Sequence, residues 1–136
     1  MEARKVLNIG IDLGTSRSVI ACDNGVRTHM SSYVGYPKDA VSSKMFGKGI
    51  VFGDDVLKNR MALDMYRPFD RGVLLHSDSP DENREEYEKA KNVAKELLKQ
   101  LISNATAGEP ENLIFRGVIG APSLASTNNK IGRAHV

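Results

Sequence analysis

Apolar positions along the chain follow two periods. Near the start they come in strand-length bursts, and residues 6–12, 19–23 and 27–34 read as three strands bounded by turn residues. Asn24-Gly25 between the second and third is a strong hairpin signal. After Tyr36-Pro37 the pattern breaks up. Gly47, Gly49 and Gly53 punctuate a short strand over residues 50–52, Asp54-Asp55 predicts the cap of a short helix from Val56 to about Leu63, and residues 67–73 form a turn-rich return. A helical period then takes over: Tyr87, Ala90, Ala94, Leu97, Leu98 and Leu101 share one face. Ser79-Pro80-Asp81-Glu82 precedes it and predicts a capping box, with serine at the N-cap, proline first and glutamate third. Asp81, Glu82, Glu85 and Glu86 come early and Lys95 and Lys99 late, an order that complements the helix dipole and predicts a solvated charged face. Residues 113–122 are nearly continuously apolar, which predicts a strand buried on both sides. Three strands, an excursion over about 36–75, a long helix and a fourth strand make an α/β chain.

Candidate chemistry concentrates in Ile9-Gly10-Ile11-Asp12-Leu13-Gly14-Thr15-Ser16. An apolar strand ends on a carboxylate, and a turn with a glycine and two hydroxyls follows. Backbone N–H groups in such a turn can converge on an anion. Gly14 lets the chain take φ > 0 and lets phosphate oxygens approach. Asp12 can accept hydrogen bonds from the waters that Mg²⁺ keeps in its shell. The plainer alternative is a polar corner that needs Gly14 for geometry alone. Two rival phosphate motifs are absent: no Gly-x-x-x-x-Gly-Lys-Ser/Thr occurs, and the turn leads into a strand rather than opening the helix a dinucleotide fingerprint requires.

Composition narrows the class. The 136 residues suit one domain, 40% hydrophobic and 26% charged, as in a soluble globular protein. The single Cys22 excludes a disulfide framework and predicts a reducing cytoplasm. A net charge of +2 is too small to argue for nucleic acid. No stretch is long enough to span a bilayer, so direct membrane insertion is not expected. His29, His76 and His135 lack metal-ligand spacing. Residues 131–136 read as the translation of a common sequencing adapter; without Lys130 and Arg133 the charge falls to about zero. That reading implies an open reading frame cut short, with residues 1–130 a partial N-terminal domain.

The phosphate-type turn between two antiparallel strands resembles the opening of the actin-like ATPase superfamily, whose fold is ribonuclease H-like. Further segments are similar to bacterial actin homologues: residues 51–56, 67–74 and 118–123. Residues 33–39, Tyr-Val-Gly-Tyr-Pro-Lys-Asp, together with Ile119-Gly120-Ala121-Pro122, look most like the magnetosome-associated branch. The resemblance implies a mixed sheet of three antiparallel strands, then a helix and a strand parallel to the first, so that Asp12 and Gly120-Ala121-Pro122 share a cleft. It implies ATP and Mg²⁺ as cofactors, with Asp12 holding a metal-bound water and Gly14, Thr15 and Ser16 contacting phosphate. Arg17 stands where relatives often carry Asn or His, which implies nucleotide contact through its backbone; its guanidinium could also reach phosphate, but the plainer reading of the side chain is an exposed turn arginine. It further implies cytoplasmic filaments formed by self-association, with magnetosome-associated proteins as partners. MreB-type cell-shape actins and seventy-kilodalton heat-shock chaperones are the alternatives. The family's second phosphate segment, its adenosine segment and its water-orienting residue are missing from the chain. No catalytic base can be named, and the expectation is that an ATPase parent would turn over while this stretch alone would not.

Overall fold

A computed structural model describes residues 5–47, 49–70, 73–107 and 113–120. The chain runs β1 (Lys5–Leu13), β2 (Arg17–Cys22), β3 (Arg27–Ser31), β4 (Val34–Pro37), α1 (Ala40–Phe46), β5 (Val51–Phe52), α2 (Asp54–Lys58), β6 (Leu63–Tyr66), β7 (Phe69–Asp70), β8 (Val73–Leu74), α3 (Arg84–Ala105) and β9 (Leu113–Gly120). β1, β2 and β3 form an antiparallel meander, and β9 adds to β1 in parallel, giving the order β3-β2-β1-β9. The excursion carries its own sheet, β5-β4-β6, and the β7-β8 pair. The mixed sheet anticipated from the sequence is therefore present. Residues 131–136 and the Ala121-Pro122 turn lie outside the described residues.

The β2–β3 hairpin closes at Asn24-Gly25, although by a three-residue loop. Gly25 N–H donates to the Cys22 carbonyl, Cys22 N–H to the Val26 carbonyl, and Gly25 takes φ 91°. Asn24 stays out of the positive-φ region, and its Oδ1 instead accepts the Val26 N–H at 3.0 Å.

Alternation along β1 and β2 sets the core. Leu7, Ile11, Leu13 and Ile20 face α3, which packs across β2, β3 and β4. Ala90, Val93, Ala94, Leu97, Leu98, Leu101 and Ala105 form the buried face of that helix. Leu97 and Leu101 are wholly enclosed. Leu101→Ala is expected to cost about 2–5 kcal/mol, because a cavity in a close-packed interior adds to the lost transfer energy; chemical denaturation measures it.

Three boundaries and the burial of one strand differ from the sequence expectation. The anticipated third strand over 27–34 divides: β3 ends at Ser31, and Val34 opens β4 in the other sheet. Between them Ser32 N–H bonds the Ser16 carbonyl and the Tyr33 carbonyl accepts the Gly53 N–H, which takes the chain off the first ladder. The helix expected from Val56 to Leu63 is α2, begun by Gly53 at φ 69° and closed where the Asn59 N–H and side chain turn back on the Asp55 carbonyl. Leu63 then enters β6 opposite Pro37. Ser79 does not cap α3 directly. Asn83 is the N-cap, without a side-chain cap bond, and its N–H reaches the Ser79 carbonyl, so a separate turn precedes the regular ladder.

The fourth correction concerns β9, expected to be buried on both sides. Among the described residues it is a sheet edge, and its outward row is open: Ile114 and Val118 are 47% and 77% exposed. Among the β9 residues whose burial is described, Phe115 and Ile119, on the α3 side, are half-buried. A continuous apolar run records eventual burial without recording which partner supplies it.

The charged face of α3 is also less uniform than expected. Lys91–Glu88 and Lys99–Glu96 are surface i,i+3 pairs of small energetic weight. Lys89, however, holds its ammonium 4.5 and 4.6 Å from the ring centres of Tyr36 and Tyr66. Those rings meet edge to face at 5.6 Å. This cation–π contact ties the helix to the excursion sheet. Burial, with help from Glu96, pushes the Tyr36 phenol above its ordinary value.

Candidate functional site

Asp12 is the penultimate residue of β1, at the end where the parallel neighbour β9 also finishes. It pairs with Val19 on one side and Gly120 on the other. A Cβ built on Gly120 would stand 3.8 Å from Asp12 Oδ1, so the two strand ends adjoin as anticipated. The carboxylate is exposed and lies on the sheet face opposite α3. Strand termini beside a crossover are where open α/β sheets bind ligands.

The turn over Gly14, Thr15 and Ser16 is tight. Gly14 N–H donates to the Arg17 carbonyl at 3.1 Å, across the mouth of the β1–β2 hairpin. Gly14 is required, but not for the torsional reason given above, since its φ is not in the positive region. A Cβ at that position would lie 2.3 Å from the Arg17 carbonyl oxygen. The missing side chain makes room for backbone.

Two serines beneath the turn escaped the sequence reading. Ser32 Oγ donates to the Gly14 carbonyl at 2.8 Å, and Ser32 N–H donates to the Ser16 carbonyl at 2.9 Å. Ser18 Oγ lies 2.7 Å from Ser32 Oγ, and both serines are fully buried. The only sequence signal was a small hydroxyl at an inward-facing position of β2, which on its own suits a surface strand equally well.

The five candidate residues do not all converge. Asp12, Gly14, Thr15 and Ser16 cluster at the end of β1. Arg17 is exposed and lines a cleft of about 600 Å³ with His29, Ser31, Phe52, Asp54 and Gln100. That cleft lies between β3 and the excursion, and none of the other four residues lines it. Asp54 there accepts a 2.5 Å hydrogen bond from Ser31 Oγ. Cys22 packs against the core, where burial, then Asp23, raises its thiol pKa, consistent with a filler rather than a nucleophile. Among the described residues no cluster of His, Cys, Asp and Glu could by itself hold a metal ion, and no helix is long and apolar enough to cross a membrane.

A metal–nucleotide group fits what the strand end offers. An exposed carboxylate suits the outer shell of Mg²⁺, which keeps much of its water. A glycine-containing turn with two hydroxyls beside it suits phosphate oxygens.

Comparison with known proteins gives a consistent pattern. No protein-family profile matches the chain. It is 36% identical over 129 residues to the actin-like protein MamK of Paramagnetospirillum magneticum, a match over 95% of this chain and 34% of that protein. The same identity holds for MamK of Magnetospirillum gryphiswaldense, over 95% of this chain and 33% of that protein. The chain thus spans about a third of the length of the curated relatives it matches. Among solved structures, a non-polymerising MamK mutant bound to AMPPNP superposes with a TM-score of 0.78 at 32% identity, covering 98% of this chain and 38% of that one. A MamK double helical filament gives 0.77 at 34% identity, over 94% and 36%. MreB5 of Spiroplasma citri bound to ADP gives 0.62 at 17% identity, over 95% and 33%, a likeness of fold alone.

Proposed function

From a chain that is a homologue of the MamK actin-like proteins and has the actin-like ATPase fold, we propose that it is the nucleotide-holding first part of a filament-forming bacterial actin. The observation that carries this is the end of β1, where the exposed Asp12 carboxylate adjoins the end of parallel β9 and the hairpin mouth opens beside it. Asp12 would hold waters of a Mg²⁺ ion, while the backbone and hydroxyls of Gly14, Thr15 and Ser16 would take phosphate oxygens. Arg17 would contribute through its backbone, whose carbonyl already accepts the Gly14 N–H at the turn. When bound, the metal neutralises phosphate charge. Positioning and electrostatics then provide most of what phosphoryl transfer needs. The chain's own residues bind and orient; none described here is placed to act as the base for water.

For the whole protein we propose ATP hydrolysis coupled to the turnover of cytoplasmic filaments that organise magnetosomes. Support comes from MamK relatives whose solved forms include an AMPPNP complex and a double helical filament. The test has two arms. Titration of the chain with a fluorescent ATP analogue, with and without Mg²⁺, is expected to give saturable, metal-dependent binding. Light scattering of the complete gene product is expected to rise on addition of MgATP. No nucleotide binding by the chain or the complete product would sink the site, and binding without assembly would sink the filament.

A further inference from the structure

We propose that Ser32 and Ser18 form a one-way hydroxyl relay that positions the phosphate-type turn, with Ser32 as the positioning residue and Ser18 acting only through it. The inference rests on the reading of that turn as a phosphate seat and adds the device that holds it in shape.

The direction of the relay follows from proton bookkeeping. A serine hydroxyl has one proton to give. The Gly14 carbonyl can only accept, so Ser32 spends its proton there, at 2.8 Å. The 2.7 Å contact between the two serine oxygens must then be donated by Ser18. Ser32 also bonds the Ser16 carbonyl through its own N–H, at 2.9 Å. A single residue therefore grips two carbonyls of the turn, at alternate positions.

Planarity converts that grip into orientation. In a trans peptide unit the C=O and the N–H point in opposite directions, and the described residues contain no cis peptide bond. Turning the Gly14 carbonyl inward onto Ser32 sets the Gly14–Thr15 peptide plane, with its N–H side away from the buried serine. The Ser16–Arg17 plane is set in the same way. Both serines are fully buried, so neither hydroxyl needs to touch a ligand for this effect. If Ser32 lost its hydroxyl, the Gly14 carbonyl would be free to rotate toward an incoming phosphate and repel it.

A buried hydroxyl pair that served packing alone would give different results, and the chain itself can separate the two cases. Three variants are compared with the wild type: Ser32→Ala, Ser18→Ala and the double substitution. The first readout needs no nucleotide. The Gly14 carbonyl ¹³C resonance is expected to shift in Ser32→Ala, and in Ser18→Ala by a smaller amount, while the far hairpin at Asn24-Gly25 stays unchanged. The second readout is affinity for MgATP and for inorganic tripolyphosphate. Ser32→Ala is expected to weaken both about tenfold and Ser18→Ala about threefold, for one lost bond in series. The double variant should match Ser32→Ala alone, because the Ser18 hydroxyl acts on the turn through the Ser32 hydroxyl. Multiplying effects, or an unmoved Gly14 resonance, would overturn the relay. A resonance that shifts in Ser32→Ala, beside a wild-type chain that binds neither phosphate compound, would instead leave the relay standing as structure and refute the phosphate reading, and with it the positioning role. Ser32→Thr, which keeps the hydroxyl, should recover most of the lost affinity; failure to do so in a folded variant with a wild-type Gly14 resonance would also count against the proposal.

Discussion

Gly14→Ala is expected to open the β1–β2 turn, cost about 1–3 kcal/mol as an overpacked site, and lower affinity for MgATP at least tenfold. The added carbon would stand 2.3 Å from the Arg17 carbonyl oxygen. Main chain cannot swing aside as a flexible side chain can. Arg17 is held by its pairing with Ser31, and its carbonyl by the Gly14 N–H. Gly10→Ala is the matched control. A Cβ there meets nothing within 4 Å, and a change within about 0.5 kcal/mol is expected for an open surface site. Urea melts of both variants beside nucleotide titrations measure the contrast. If the two alanines behave alike, the steric account of the turn is wrong.

Asp12→Asn is expected to have its large effect on binding and almost none on stability. The side chain is exposed, so the melting temperature should hold. Removing the charge that would orient metal-bound water should reduce the Mg²⁺-dependent part of nucleotide affinity by about 10–100-fold, the usual consequence of losing an outer-shell partner. Affinity measured in excess chelator should hardly change. Equal losses with and without the metal would remove Asp12 from the metal's surroundings and leave it as a general phosphate-site residue.

How much of this was legible beforehand depended on whether the cause was local. The hairpin at Asn24-Gly25 and the buried face of α3 follow from turn chemistry and helical spacing, both contained in a few neighbouring residues. The place of Asp12 at a strand end was legible because a carboxylate ending an apolar strand is conspicuous. Other features depended on partners far along the chain. The division of residues 27–34 between two sheets turns on bonds from Ser32 to Ser16 and from Tyr33 to Gly53, and no glycine or proline marks it. Ser18 looked like any polar residue on a strand until its partner 14 positions away came into contact. Lys89 belonged to a charged stripe until the rings of Tyr36 and Tyr66 came within reach of its ammonium. Gly14 was chosen for a sound reason of the wrong kind: torsional freedom was expected, and a close backbone approach was found.

The parallel pairing of β1 with β9 joins Lys5 to Leu113 and Asp12 to Gly120, segments more than a hundred residues apart. A ribosome adding about 5–20 residues per second leaves roughly 5–20 s between the emergence of one strand and the arrival of the other. Throughout that interval one flank of β1 has unsatisfied amide and carbonyl groups, the kind of edge that recruits stray strands. Long-range closure of this sort is slow compared with helix formation. The rate of reaching the native state should therefore respond more to changes along the β1–β9 seam than to changes in the helical propensity of α3.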